Sequence, residues 1–196
     1  MLKRLHPALL LLLVAILAYG LLIPQLGFYW DDIPMSWIRY ELGPQAMTRY
    51  FSTNRPVWGL LFQITTRLIP QVPALWQIFA LFWRWLGAVT VWAIVRELWK
   101  DKPRFALGVA LLFLLYPGFN QQWGSYLYSH FFIVIFFYLY SIHLSLKRKT
   151  IPALVFSALN LWMMEYFFPL EFARAGFFWT SLRDEYPNPR ERIKPA

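Results

Sequence analysis

The chain has 196 residues, 59% hydrophobic, 20% aromatic and only 15% charged, with a mean hydropathy of +0.42, a balance that excludes an ordinary soluble domain. Cysteine is absent, which removes disulfide frameworks, thiolate chemistry and Cys-based metal sites. The formal charge of +9 sits in short clusters between apolar runs instead of along one soluble face, so it speaks for membrane topology and against nucleic acid as a partner.

Lys3 and Arg4 precede the apolar run 8–23, closed by Pro24. Small residues at Ala18-Tyr19-Gly20 would suit a cleaved signal peptide, but the run is long and further spans follow, so an uncleaved first span (residues 1–24) is the preferred reading. Residues 25–55 form a polar, aromatic loop broken by Pro34, Gly43 and Pro44. Ile33, Trp37, Ile38 and Leu42, then Met47, Tyr50 and Phe51, recur at helical spacing on pieces too short and too charged to cross a bilayer. Two interfacial helices are predicted there.

The apolar pieces 57–69 (with Arg67), 74–95 (with Arg84), 105–116, 126–146, 151–168 and 170–182 follow, and the charged stretch 183–196 closes the chain. The predicted fold is all-α: a single membrane domain, a polytopic transmembrane bundle of six or seven hydrophobic helices. Thirteen of the nineteen Lys and Arg lie in four clusters, at 3–4, 96–104, 147–149 and 183–194. Placing all four in the cytoplasm gives a cytoplasmic N-terminus in the plasma (inner) membrane and puts Asp31-Asp32, residues 117–125 and Glu165 on the opposite side. Only one net crossing then fits between residues 24 and 96, so the thirteen residues 57–69, about 20 Å as a helix, are expected to dip in without crossing.

Chemistry concentrates at Gly27-Phe28-Tyr29-Trp30-Asp31-Asp32. Asp31 and Asp32 could simply open an interfacial helix, where Asp is favoured. Alternatively, the aromatic flank and a neighbouring carboxylate would raise one pKa, as a general base requires. Arg55, at the mouth of a helix, reads either as a snorkelling residue or as a bidentate phosphate ligand, with Arg49 a second candidate. Asn120 and Gln121 could hydrogen-bond sugar hydroxyls while Trp30 or Trp123 stacks on a ring. His130 reads as an interfacial residue or a ligand. Glu165 reads as a helix-end carboxylate paired with an arginine, or as a residue of the substrate cavity. Arg84, inside an apolar run, calls for a partner, for which Glu165 or Glu171 is expected; Glu171 and Arg174 are spaced to pair with each other.

The order of Trp30-Asp31-Asp32, Asn54-Arg55-Pro56, Trp99-Lys100-Asp101-Lys102, Tyr116-Pro117-Gly118-Phe119 and Glu165-Tyr166-Phe167 before Leu170-Glu171 resembles the N-terminal part of the GT-C superfamily, the polytopic glycosyltransferases that use lipid-phosphate-linked sugars, in its mannosyltransferase-like branch. The resemblance implies sugar transfer from a polyprenyl-phosphate donor to an acceptor on the non-cytoplasmic face, with inversion at the anomeric carbon. It also implies that Asp31 or Asp32 is the catalytic base, and that the other carboxylate binds a divalent metal cation or orients the acceptor. Members of the superfamily carry further spans, so a truncated enzyme or a non-catalytic membrane scaffold is the alternative.

Overall fold

The computed structural model describes residues 5–119 and 121–185; Lys3, Arg4, Asn120 and the tail from residue 186 lie outside that range. Among the described residues all regular structure is helical. The apolar segment Pro7–Gln25 opens with α1 (Pro7–Ala15), passes through a π-helical turn at Ile16–Gly20 and ends in a 3₁₀ turn that starts at Ile23. Two short helices, α2 (Asp32–Leu42) and α3 (Pro44–Tyr50), meet at Gly43, whose φ of 91° suits a residue without Cβ. They occupy the positions at which two short helices were expected.

Five helices follow, each started by a proline in its first turn or by a small residue: α4 (Pro56–Leu68), α5 (Pro73–Leu98), α6 (Pro103–Leu115), α7 (Ser125–Leu146) and α8 (Thr150–Met163). A proline at the first helical position loses no hydrogen bond and has the right φ, so these starts are fixed by the sequence. The chain then turns through Glu165–Phe167 into α9 (Leu170–Glu185). Residues 151–168 were expected as one run, but the helix stops at Met163, where Met164 turns to extended geometry.

Among the described residues three segments are long and apolar enough to cross a membrane: Pro7–Gln25, α5 and α7; α6 and α8 are shorter apolar helices. This marks the chain as a membrane protein. At 26 and 22 residues, α5 and α7 run about 39 and 33 Å, and they pack against each other as the axis of the fold. α6 and α1 cover one side of α5, and α8 covers α7. One core, around Trp58, Phe62, Trp76 and Tyr126, lies under α2 to α4; a second, around Leu11, Leu81, Ala88 and Leu114, joins α1, α5 and α6.

Arg84 sits in the wall of that second core, 2% exposed, and its partners differ from those expected. Neither Glu165 nor Glu171 reaches it. Its Nε and Nη2 donate to the Leu114 carbonyl, Nη1 to the Phe119 carbonyl, and Nη2 also to the Tyr19 hydroxyl, which in turn donates to Leu114. The Tyr19 ring lies 3.8 Å beneath the guanidinium carbon. The last turn of α6 has carbonyls with no N–H ahead of them, and the positive guanidinium satisfies these without a carboxylate. Glu171 instead pairs with Arg174 one helical turn on, as its spacing suggested.

Candidate active site

The acidic pair opens α2 but divides between two tasks. Trp30 takes a φ of 51°, a left-handed turn that bulky residues seldom adopt, and the chain enters the helix through Asp32 N–H to Tyr29 and Ile33 N–H to Trp30 hydrogen bonds. Asp32 then points inward, 1% exposed. Its Oδ2 accepts from Tyr126 N–H at 3.0 Å and its Oδ1 from Leu127 N–H at 2.9 Å. Those two amides belong to the first turn of α7, whose own cap, Gly124, has no side chain to offer. Asp32 therefore caps a helix 94 residues away in sequence. Burial pushes its carboxyl up to about 6, against the two N–H donors that favour the anion.

Asp31 is exposed and lines an open pocket of about 530 Å³ together with Asn54, Arg55, Tyr50 and Trp58 over an apolar floor that includes Phe51 and Phe131. Among the described residues lining it, Asp31 is the one carboxylate and Arg55 the one cation. Arg55 is the N-cap residue of α4 and is held from behind: its Nε donates to Glu165 Oε2 at 3.0 Å and its Nη2 to Oε1 at 2.6 Å. This two-point fork raises the Arg55 pKa further and lowers that of Glu165. The Tyr166 ring lies 5.0 Å and the Trp58 ring 5.7 Å from the guanidinium carbon, so the cation is fixed in orientation at the pocket wall.

The other sequence candidates fall in different places. Arg49 lines an adjoining hollow with Gln45 and Leu42, which shares Ile38 and Tyr50 with the pocket. Trp30 is largely exposed and lies edge-on to Trp123, centroids 5.6 Å apart. Gln121 is half-buried in the turn before α7, where its carbonyl accepts from Gly124 N–H; it does not line the pocket. Asn120 lies outside the described residues. His130 is fully buried, stacked on Phe62 at 3.6 Å and bonded to Thr65 Oγ1 at 2.8 Å, within the core and away from the pocket lining.

Sequence reasoning passed over Tyr50 and Trp58. The indole N–H of Trp58 is buried without a partner among the described residues, at a residue that lines the pocket. Its position three residues after Arg55, one turn along α4, was the available signal. Both Asp32 oxygens face N–H donors in the interior, while the described residues that line the pocket offer one carboxylate, one guanidinium and several neutral polar groups.

No family model matches the chain, and no curated protein or solved structure matches it.

Proposed function

We propose that this chain is a multi-pass membrane glycosyltransferase that moves a sugar from a polyprenyl-phosphate donor to an acceptor hydroxyl at the non-cytoplasmic face, with α2 and α3 lying along the interface. The observation that carries the reading is the pocket in which Asp31 and Arg55 stand on one aromatic floor, the guanidinium clamped by Glu165. Arg55 binds the donor phosphate. Asp31 accepts the proton of the acceptor hydroxyl as its oxygen bonds to the anomeric carbon; the bond from that carbon to the phosphate oxygen breaks, and lipid phosphate leaves with the electron pair. Attack from the face opposite the leaving group inverts the anomeric centre. The Trp58 N–H and the Asn54 amide supply donors and acceptors for sugar hydroxyls, and the rings of the floor pack against its C–H face.

The test is incubation of the full chain in nanodiscs with a panel of polyprenyl-phosphate sugars, reading donor retention. Retention of one donor class, weakened about tenfold or more in Arg55→Gln, supports the reading; no retention of any donor by folded protein refutes it. A non-catalytic scaffold is the second reading. It is favoured by the fact that Asp32 and the Arg55–Glu165 fork each join elements distant in sequence.

A further inference from the structure

At the far end of α5 from its start at Pro73, a second cavity opens among the beginnings of α1 and α6 and the last two turns of α5. It measures about 670 Å³ and is lined by His6, Trp92, Arg96 and Arg104, with Leu5 and Leu107 among its apolar walls. Its composition is that of a boundary: two guanidiniums above an indole and leucine side chains. Arg96 spends one N–H on the Lys100 carbonyl, and its Nε and Nη2 have no partner among the described residues. Arg104 is exposed and has no hydrogen bond or ion pair among them. The nearest acids in sequence are Glu97, which faces Lys147 at 3.5 Å, and Asp101, which is exposed on the link between α5 and α6 and makes no ion pair among the described residues. Lys100 and Lys102, on the link between α5 and α6, add further positive charge. His6 accepts the Ala8 N–H at Nδ1, which leaves its proton on Nε2, and its ring stands edge-on to Trp92 at 5.9 Å, closing one side.

Two arginines without counter-ions among the described residues, at the adjoining ends of α5 and α6 above an apolar slot, match an anionic headgroup attached to an acyl chain. A free anion would use the guanidiniums but gain nothing from Trp92, Leu5 and Leu107, whereas a phospholipid uses both. We propose that this cavity binds one anionic phospholipid of the surrounding bilayer, its phosphate between Arg96 and Arg104 and the upper part of an acyl chain against Trp92 and Leu107. The site is independent of the pocket at Asp31 and Arg55 and does not rest on glycosyl transfer.

The test uses the full chain in detergent, titrated with phosphatidylglycerol, with phosphatidylcholine or with inorganic phosphate, and scored by native mass spectrometry for retained adducts. Wild type should retain one phosphatidylglycerol in preference to phosphatidylcholine. Arg96→Gln/Arg104→Gln should lower that retention about tenfold or more, and Arg104→Gln alone, at an exposed position, should lower it part of the way. Lys149→Gln, which removes a positive charge elsewhere at an exposed position, should leave it unchanged. A photoactivatable phosphatidylglycerol bound to wild type should label residues 92–107. Equal retention in the Arg96/Arg104 double variant, an equal loss in the lysine variant, or labelling spread evenly over the chain would overturn the proposal. So would displacement of the lipid by millimolar inorganic phosphate, which would make the cavity a soluble-anion site.

Discussion

Asp32 shows how one side chain can look catalytic and act as a joint. A buried carboxylate next to another acid and ringed by aromatics has the pKa environment of a general base, and its carboxyl does rise to about 6. Yet both of its oxygens are committed to the α7 amides. Because the folded-state value lies above the ordinary 3.8, the protonated form is favoured by folding. The stability contributed by Asp32 is therefore greatest below about pH 4 and is lost as pH rises through about 6, by roughly 3 kcal/mol. Asp32→Ala leaves two buried amides without an acceptor and should cost about 3 kcal/mol near pH 4. That deficit should shrink toward zero by pH 7, since only the wild type carries the cost of ionisation; thermal midpoints in detergent at pH 4, 5.5 and 7 would show it, and a deficit constant with pH would refute the burial account. Nothing in the sequence distinguishes Asp31 from Asp32. The distinction comes from Tyr126 and Leu127, whose amides need a cap that Gly124 lacks, and a tertiary cap leaves no local pattern.

The pocket depends on how closely α3 and α4 approach, and Gly59 sets that distance. A Cβ there would stand 3.0 Å from the Met47 carbonyl oxygen and 3.0 Å from Phe51 Cβ, with backbone on one side that cannot give way. Gly59→Leu should push α3 away from α4, displace Phe51 and Tyr50 from the pocket and lower stability by about 2 kcal/mol. Donor retention should fall together with the thermal midpoint, and unchanged retention would detach the pocket from the α3–α4 contact. Most of the elements themselves were legible. Proline marks the start of α4, α5 and α6, runs of apolar residues give α5 and α7, and the spacing of Ile33, Trp37 and Leu42 gives α2. The end of α8 was not, because the run stays rich in methionine and aromatic residues through Phe168, with Glu165 its one charge and Pro169 the first breaker after it. The turn there is what delivers Glu165 to Arg55, a contact spanning 110 positions.

Across the molecule, polar links hold a largely apolar assembly in register, among them the Asp32 cap between α2 and α7, the Arg55–Glu165 fork between α4 and the turn after α8, and Arg84 between the Tyr19 turn, α5 and the end of α6. A charge at position 84 in an apolar run was visible in the sequence and correctly demanded a partner, but the expected partner was an acid. Carbonyls at a helix end serve equally well, and their availability is a property of where α6 stops, which composition does not encode. Arg84→Met keeps most of the volume while orphaning the Phe119 carbonyl and leaving the Leu114 carbonyl to the Tyr19 hydroxyl alone, and should cost about 3 kcal/mol; loosening of the Tyr19 turn and α6 should follow, read as faster amide exchange at Tyr19 and Leu114. A loss below about 0.5 kcal/mol would show that the clamp is dispensable.

In the proposed reaction Asp31 is the base and Asp32 the joint. The most direct measurement compares release of lipid phosphate from the retained polyprenyl-phosphate sugar by wild type, Asp31→Asn and Asp32→Asn, each checked for folding by its thermal midpoint. We expect Asp31→Asn to keep its midpoint and lose release by about 100-fold or more, and Asp32→Asn to shift its midpoint while its folded fraction still turns over. Full release by Asp31→Asn would contradict the account.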